Sequence, residues 1–198
     1  GRPEAITSGP DGNIYFTVAF GAANSDRVWK TDLSNTNPAT NTSLFIATSG
    51  GSGGTAYTLI DPRGIDFGPD GDVYVGSRGN SNVYAFLPNG TPLGVFGQAS
   101  SGGSALNSPN ALLWLDGNLY VNSGNTTSVK QYDGSGTYLG DYLSNASLNN
   151  PLGLGFGPDG SLYVSSYTNN RVYRMTGATT VVQAAPAGGE PAPAMNGT

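Results

Sequence analysis

Carboxylates dominate the chemistry available to this 198-residue chain: it has 13 Asp and Glu, 8 Lys and Arg, and neither histidine nor cysteine. Without histidine there is no Ser-His-Asp triad and no imidazole base. Without cysteine there is no disulfide frame and no thiolate metal ligand. Four aspartates recur in one pattern. Asp11, Asp70, Asp116 and Asp159 each precede a glycine, and each is followed four residues later by Tyr15, Tyr74, Tyr120 or Tyr163. A carboxylate repeated at one local position reads as a turn residue rather than as four active sites. The tyrosines likewise read as packing residues before a sugar-binding platform. The Gly-rich stretches 49–55 and 100–104 precede no helical pattern, so they are not phosphate cradles. Asn41, Asn89, Asn125, Asn145 and Asn196 lie in Asn-x-Ser/Thr sequons and are candidates for glycosylation, although a chain so rich in Asn and Thr produces such triplets by chance.

The rest of the composition narrows the classes. Only 11% of residues are charged, against about 25% in an ordinary soluble domain. The net charge is −5 and the lysines are Lys30 and Lys130 alone, which argues against a nucleic-acid partner. No apolar run approaches the roughly 20 residues of a membrane-spanning helix. Low charge with abundant hydroxyl and amide side chains suits an extracellular or cell-surface protein. Repeat sequence starts almost at Gly1, so any signal peptide is expected to have been removed or never present.

The elements that must position these residues come from an internal repeat. Each unit opens on a proline (Pro3, Pro62, Pro109, Pro151), passes through the Asp-Gly turn, and reaches an aliphatic-Tyr pair. A valine follows the tyrosine by nine residues at Val83, Val129 and Val172, and by thirteen at Val28. With 31 Gly, 13 Pro and no helical periodicity, the pattern predicts four short strands per unit. In the last unit these are 153–156, 161–165, 171–175 and 179–183. The first unit is longer, and its polar 34–42 and Gly-rich 49–55 segments read as surface insertions. Units too poor in apolar residues to fold singly bury their faces by packing sheet on sheet around an axis. The expected fold is all-β, a β-propeller built from four four-stranded blades, spanning residues 1–198 as one domain. The blades run approximately 3–61, 62–108, 109–150 and 151–185.

The connectors repeat too. Leu59-Ile60-Asp61-Pro62, Leu106-Asn107-Ser108-Pro109 and Leu148-Asn149-Asn150-Pro151 all read Leu-x-x-Pro. The tail 186–198 is Pro- and Ala-rich like a linker, yet Gly188 to Asn196 resembles Gly102 to Asn107. The tail is therefore expected to complete a fourth connector, across its own ring or onto a neighbouring molecule.

These units resemble NHL repeats, whose pattern is roughly Pro-x-Gly-Ile-Ala, Asp-x-x-Gly-x-Leu-Tyr-Val-Ala-Asp, then Asn-x-Arg-Val. The likeness covers nearly the whole chain and is best over 62–86 and 151–173. The family's Ala-Asp becomes Gly76-Ser77, Asn122-Ser123 and Ser165-Ser166, with Thr17-Val18 in the first unit. Such propellers more often have six blades, so a compact four-bladed ring and an arc closed by a second chain both stand. The resemblance implies that the residue after each opening proline lies at the axial mouth: Glu4, Arg63, Asn110 and Leu152. Glu4 and Arg63 then form an ion pair joining two blades, or Glu4, Asn110 and Asp66 build a polar-ligand or cation site. Related lactonase-like propellers hold a divalent ion with a Glu/Asn/Asp set. Arg63 and Leu152 are poor neighbours for a cation, and the family's His-dependent lyase chemistry has no residue to use.

The expectation is an exported, non-enzymatic structural or binding module with no cofactor, a structural divalent cation being left open. Its foremost partner is itself, in a filament or surface layer. A lactonase-like metal hydrolase and an adhesion module for glycans or proteins are the alternatives.

Overall fold

The computed structural model describes residues 1–20, 25–37, 39–98, 106–176 and 180–183. Blade 1 comprises β1 (Arg2–Ser8), β2 (Ile14–Ala19), β3 (Arg27–Thr31) and β4 (Thr42–Ile46), followed by a small hairpin of β5 (Ser49–Gly50) and β6 (Tyr57–Thr58). Blade 2 comprises β7 (Pro62–Phe67), β8 (Val73–Ser77), β9 (Asn82–Phe86) and β10 (Pro92–Gln98). Blade 3 comprises β11 (Pro109–Leu115), β12 (Asn118–Ser123), β13 (Ser128–Tyr132) and β14 (Tyr138–Ser144). Blade 4 comprises β15 (Pro151–Phe156), β16 (Leu162–Ser166), β17 (Arg171–Thr176) and β18 (Thr180–Gln183). Each blade is one antiparallel meander with its strands in chain order, and together they form a four-bladed β-propeller.

The Asp-Gly turns are built by local hydrogen bonds. The carboxylates of Asp11, Asp70 and Asp159 accept from the backbone amides two residues on, at 3.1, 3.0 and 3.0 Å. These Asx turns fix the hairpin between the first and second strands. The glycine before each Pro-Asp is there for space. A side chain at Gly9, Gly68 or Gly157 would begin 2.5, 2.7 or 2.8 Å from the ring of Tyr15, Tyr74 or Tyr163. Unit three lacks the Gly-Pro and closes in two residues, with Asp116 and Gly117 both at positive φ (49° and 75°). That is the backbone twist a tight hairpin requires.

The connectors follow one design. Leu59, Leu106 and Leu148 are buried, and the residue before each proline, Asp61, Ser108 or Asn150, is left-handed at φ 51°, 57° and 54°. Between them the backbone is clasped by a serine at the end of the second strand. The hydroxyls of Ser77, Ser123 and Ser166 accept from the amides of Ile60, Asn107 and Asn149 at 2.9, 2.9 and 2.8 Å. The same hydroxyls donate to the carbonyls of those residues at 3.3, 3.2 and 3.0 Å. Serine at the repeat's second departure from the NHL pattern therefore has a structural role.

Three apolar clusters fill the joints between successive blades. Tyr15 and Val28 of blade 1 meet Ile65, Val73 and Val75 of blade 2. Tyr74 and Val83 meet Leu112, Leu119 and Val121 of blade 3, and Tyr120 and Val129 meet Leu162 and Val164 of blade 4. Each tyrosine packs on an aromatic of the next blade: Tyr15 on Phe67 at 4.9 Å, Tyr74 on Trp114 at 4.8 Å, and Tyr120 on Phe156 at 5.5 Å. The Gly-rich 49–55 insertion lies exposed at the surface, as expected, but it is anchored to the blades on either side. Its hairpin delivers Tyr57 into the first cluster, and a Cβ at Gly94 of β10 would begin 2.3 Å from the carbonyl oxygen of Gly54.

Candidate functional site

The residue after each opening proline is aimed by a bulge. Pairing of the first strand to the second skips between Pro3 and Ala5, Pro62 and Ile65, Pro109 and Leu112, and Pro151 and Leu154. A bulge takes residues out of the ladder and redirects their side chains. Here it turns Glu4, Arg63, Asn110 and Leu152 into a common cavity of about 130 Å³ at the axial mouth. Below it all four inner strands line a second axial space of about 280 Å³, from Ile6, Ile65, Leu112 and Leu154 among others.

The mouth is crossed by a chain of ion pairs. Glu4 Oε2 accepts from Arg63 Nη1 at 2.5 Å, and Glu4 Oε1 accepts from Arg2 Nε at 2.8 Å. Arg63 also donates through Nε to Asp61 Oδ1 at 2.9 Å, and Arg78 donates to Asp61 Oδ2 at 2.7 Å. The guanidinium groups of Arg2 and Arg63 lie 5.0 and 5.2 Å from the ring centroid of Phe20. Planar guanidinium suits this combination of forked carboxylate contacts and stacking. Both oxygens of Glu4 are therefore engaged, and blade 1 is tied to blade 2 as the ion-pair reading expected.

Asn110 takes a different part. Its Nδ2 donates to the Pro151 carbonyl at 2.7 Å and to Asn150 Oδ1 at 3.4 Å, joining blade 3 to the connector of blade 4. Its Oδ1 is buried without a partner, an acceptor left for a water or a donor group of a ligand. Asp66 is not among the residues lining the mouth cavity. Its carboxylate accepts from the amides of Phe67 and Trp114 at 2.9 and 2.8 Å, a tie from blade 2 to blade 3. Burial pushes its pKa up, against the pull of those two amides. Among the described residues, no three acidic, histidine or cysteine side chains converge as metal ligands would.

Asp61, Arg78 and Arg2 do not line the cavity but extend the ion-pair chain that holds Glu4 and Arg63, and they were not anticipated. The available signal was Asp61, an acid at the connector position held by Ser108 and Asn150 in the other units. Of the sequons, Asn89 and Asn125 are exposed and Asn41 and Asn145 half-buried, while Asn196 lies outside the described residues. The Asn125 amide donates to Asn107 Oδ1 and Ser108 Oγ at 3.1 and 2.9 Å. Glycosylation there would replace one of the two N–H donors and so remove at least one of these bonds. The tail 186–198 also lies outside the described residues.

Solved structures with this architecture are propeller proteins. A catalytically inactive variant of virginiamycin B lyase from Staphylococcus aureus, with quinupristin, superposes with a TM-score of 0.65 at 17% identity, over 92% of this chain and 55% of that one. A putative gluconolactonase gives 0.65 at 16% identity, over 91% and 62%. A nidogen/laminin complex gives 0.63 at 20% identity, over 87% and 59%. The chain thus spans little more than half the length of these neighbours, and the likeness establishes the fold. No protein-family model and no curated protein sequence matches the chain.

Proposed function

We propose that this chain is a non-enzymatic propeller of the NHL-like kind, working outside the cell as a structural and binding module that assembles with copies of itself into a filament or surface layer. The observation that carries the non-catalytic part is the state of the axial polar groups. Glu4 is bound by two arginines, Arg63 stands in the mouth as a fixed positive charge, and Asp66 serves two backbone amides. A divalent cation entering there would have to displace Arg2 and Arg63 from Glu4 and then sit beside a guanidinium. The lyase neighbour is inactivated by replacing a histidine with alanine, and this chain contains no histidine.

The rival is a lactonase-like hydrolase with an axial ion, which draws on the likeness to the putative gluconolactonase. Calorimetric titration with CaCl₂ and with ZnCl₂, paired with lactone hydrolysis before and after chelation, separates the two. We expect no saturable uptake and no chelation-sensitive turnover. Saturable uptake that Glu4→Gln removes, together with turnover lost on chelation, would give the site to the hydrolase.

A further inference from the structure

The repeat has two faces, and its three internal joints show which residues belong to each. The face toward the following blade is formed by the turn tyrosine and the valine of the third strand, which pairs two residues past it: Tyr15 with Val28, Tyr74 with Val83, Tyr120 with Val129. The face toward the preceding blade is formed by an aliphatic from the first strand and two from the second: Ile65 with Val73 and Val75, Leu112 with Leu119 and Val121, Leu154 with Leu162 and Val164.

Both faces recur once more, and among the described residues no blade covers them. On blade 4 the following-side pair is Tyr163 and Val172, and Val172 is 44% exposed where Val28, Val83 and Val129 are 0%. On blade 1 the preceding-side set is Ile6, Ile14 and Phe16, and Ile6 is 71% exposed where Ile65 and Leu112 are 5% and 7%. The register carries that blade 1 face outward, since Ile6 pairs with Phe16, Phe16 with Trp29, and Trp29 with Leu44. Ile6 and Phe16 also line an open groove of about 330 Å³ with Pro3, Glu4 and Ala5. Among the described residues no apolar cluster joins blade 4 to blade 1. Thr17 and Asn122 also donate across their joints, to the carbonyls of Arg63 and Gly153. Ser165 of blade 4, in the same repeat position, accepts from the Gly153 amide of its own blade, as Thr17 accepts from Ala5.

We propose that these two faces are halves of one contact, and that the blade 4 face of one chain docks on the blade 1 face of a second copy. The occupant follows from continuity with a joint that the chain already makes three times, with the same residue types in the same repeat positions. The docking is head-to-tail, so it closes into a ring of two chains or continues as an open stack, depending on the angle between copies. One position departs from the internal joints: Ser8 stands where Phe67, Trp114 and Phe156 receive the tyrosine, so Tyr163 of the partner copy packs mainly against Phe16 and Ile6. The proposal rests on the self-assembling reading above and names its surfaces.

The test measures mass against concentration by sedimentation velocity and light scattering, for the 198-residue chain and for Phe16→Asp and Val172→Asp. Both positions lie on open faces, and thermal melts check that each variant is folded. We expect the parent to exceed the 20.2 kDa of one chain and each variant to fall back to it. Mixing the two variants leaves one intact pair of faces, so a two-chain species returns and grows no further. Mass above one chain that neither variant changes would overturn these surfaces and leave the assembling reading standing. A one-chain mass at every concentration would overturn both. Dissociation by only one of the variants would mean like-to-like docking and overturn the head-to-tail contact. Loss of assembly on deleting 184–198, with both face variants still assembling, would make the tail the occupant and also overturn it.

Discussion

Lys130 sits in the position of β13 that is tyrosine on β9 and β17 (Tyr84 and Tyr173), and it is almost wholly buried. Its ammonium is held by Asp141 of β14 at 2.7 Å, directly opposite in the pairing, and lies 5.7 Å from the Tyr138 ring centroid. Removing one partner of such a pair leaves the other charge buried and alone, which is the expensive change. Asp141→Ala is expected to lower stability to urea by about 3 kcal/mol, whereas Lys130→Met, which removes the buried charge itself, costs much less. Equal losses in the two variants would show that the pair does not confine the charge. At this scale the sequence was partly legible. Glu4 and Arg63 were readable as partners because each follows an opening proline. Asp66 was grouped with them by its carboxylate, but it lies three residues farther along β7, about 10 Å at the usual rise of a strand. It therefore meets the backbone of blade 3 instead of the mouth.

Among the elements, the strands followed from alternation and turn residues, and in the last unit the observed bounds differ from the expected ones by a residue or two. The bulges that aim the mouth residues were not legible, because a skipped pairing depends on both strands and leaves no local pattern in one. The hairpin formed by β5 and β6 was also missed. Its strands are two residues each, and its Gly-rich sequence has no strand propensity until Tyr57 finds the core. The connectors were legible as a motif, though not their clasp. Ser123→Ala removes both clasp bonds to the Asn107 backbone and the bond that Thr126 donates to the same hydroxyl, so a loss of about 2 kcal/mol is expected in denaturant unfolding. Ser135→Ala, in an exposed turn, is the control and should cost far less. Comparable losses would mean that the clasp contributes nothing beyond an ordinary surface contact.

For the whole molecule, stability is a chain of nearest-neighbour joints, as in other repeat architectures. Among the described residues, blades 2 and 3 are packed on both faces, while blades 1 and 4 are each packed on one. Amide exchange of the single chain is therefore expected to be slowest in β8 and β12 and faster in β2 and β16, the same strand of the end blades. Even protection across all four would mean that the molecule opens only as a unit. Four repeats were countable from the sequence, whereas closure was not, since every unit carries both faces whether or not a neighbour covers them.

The connector clasp has a consequence for how such a molecule can change over generations. The serine clasp that holds the chain as it passes from the rim of one blade to the axis of the next joins atoms of adjoining repeats, as when Ser77 holds Ile60 ahead of Pro62. A tandem duplication whose ends fall on two connector prolines would add a blade together with its own clasp, and would leave every existing joint as it was. Blade number is thus set by copying and excision of DNA, with no redesign of the parts.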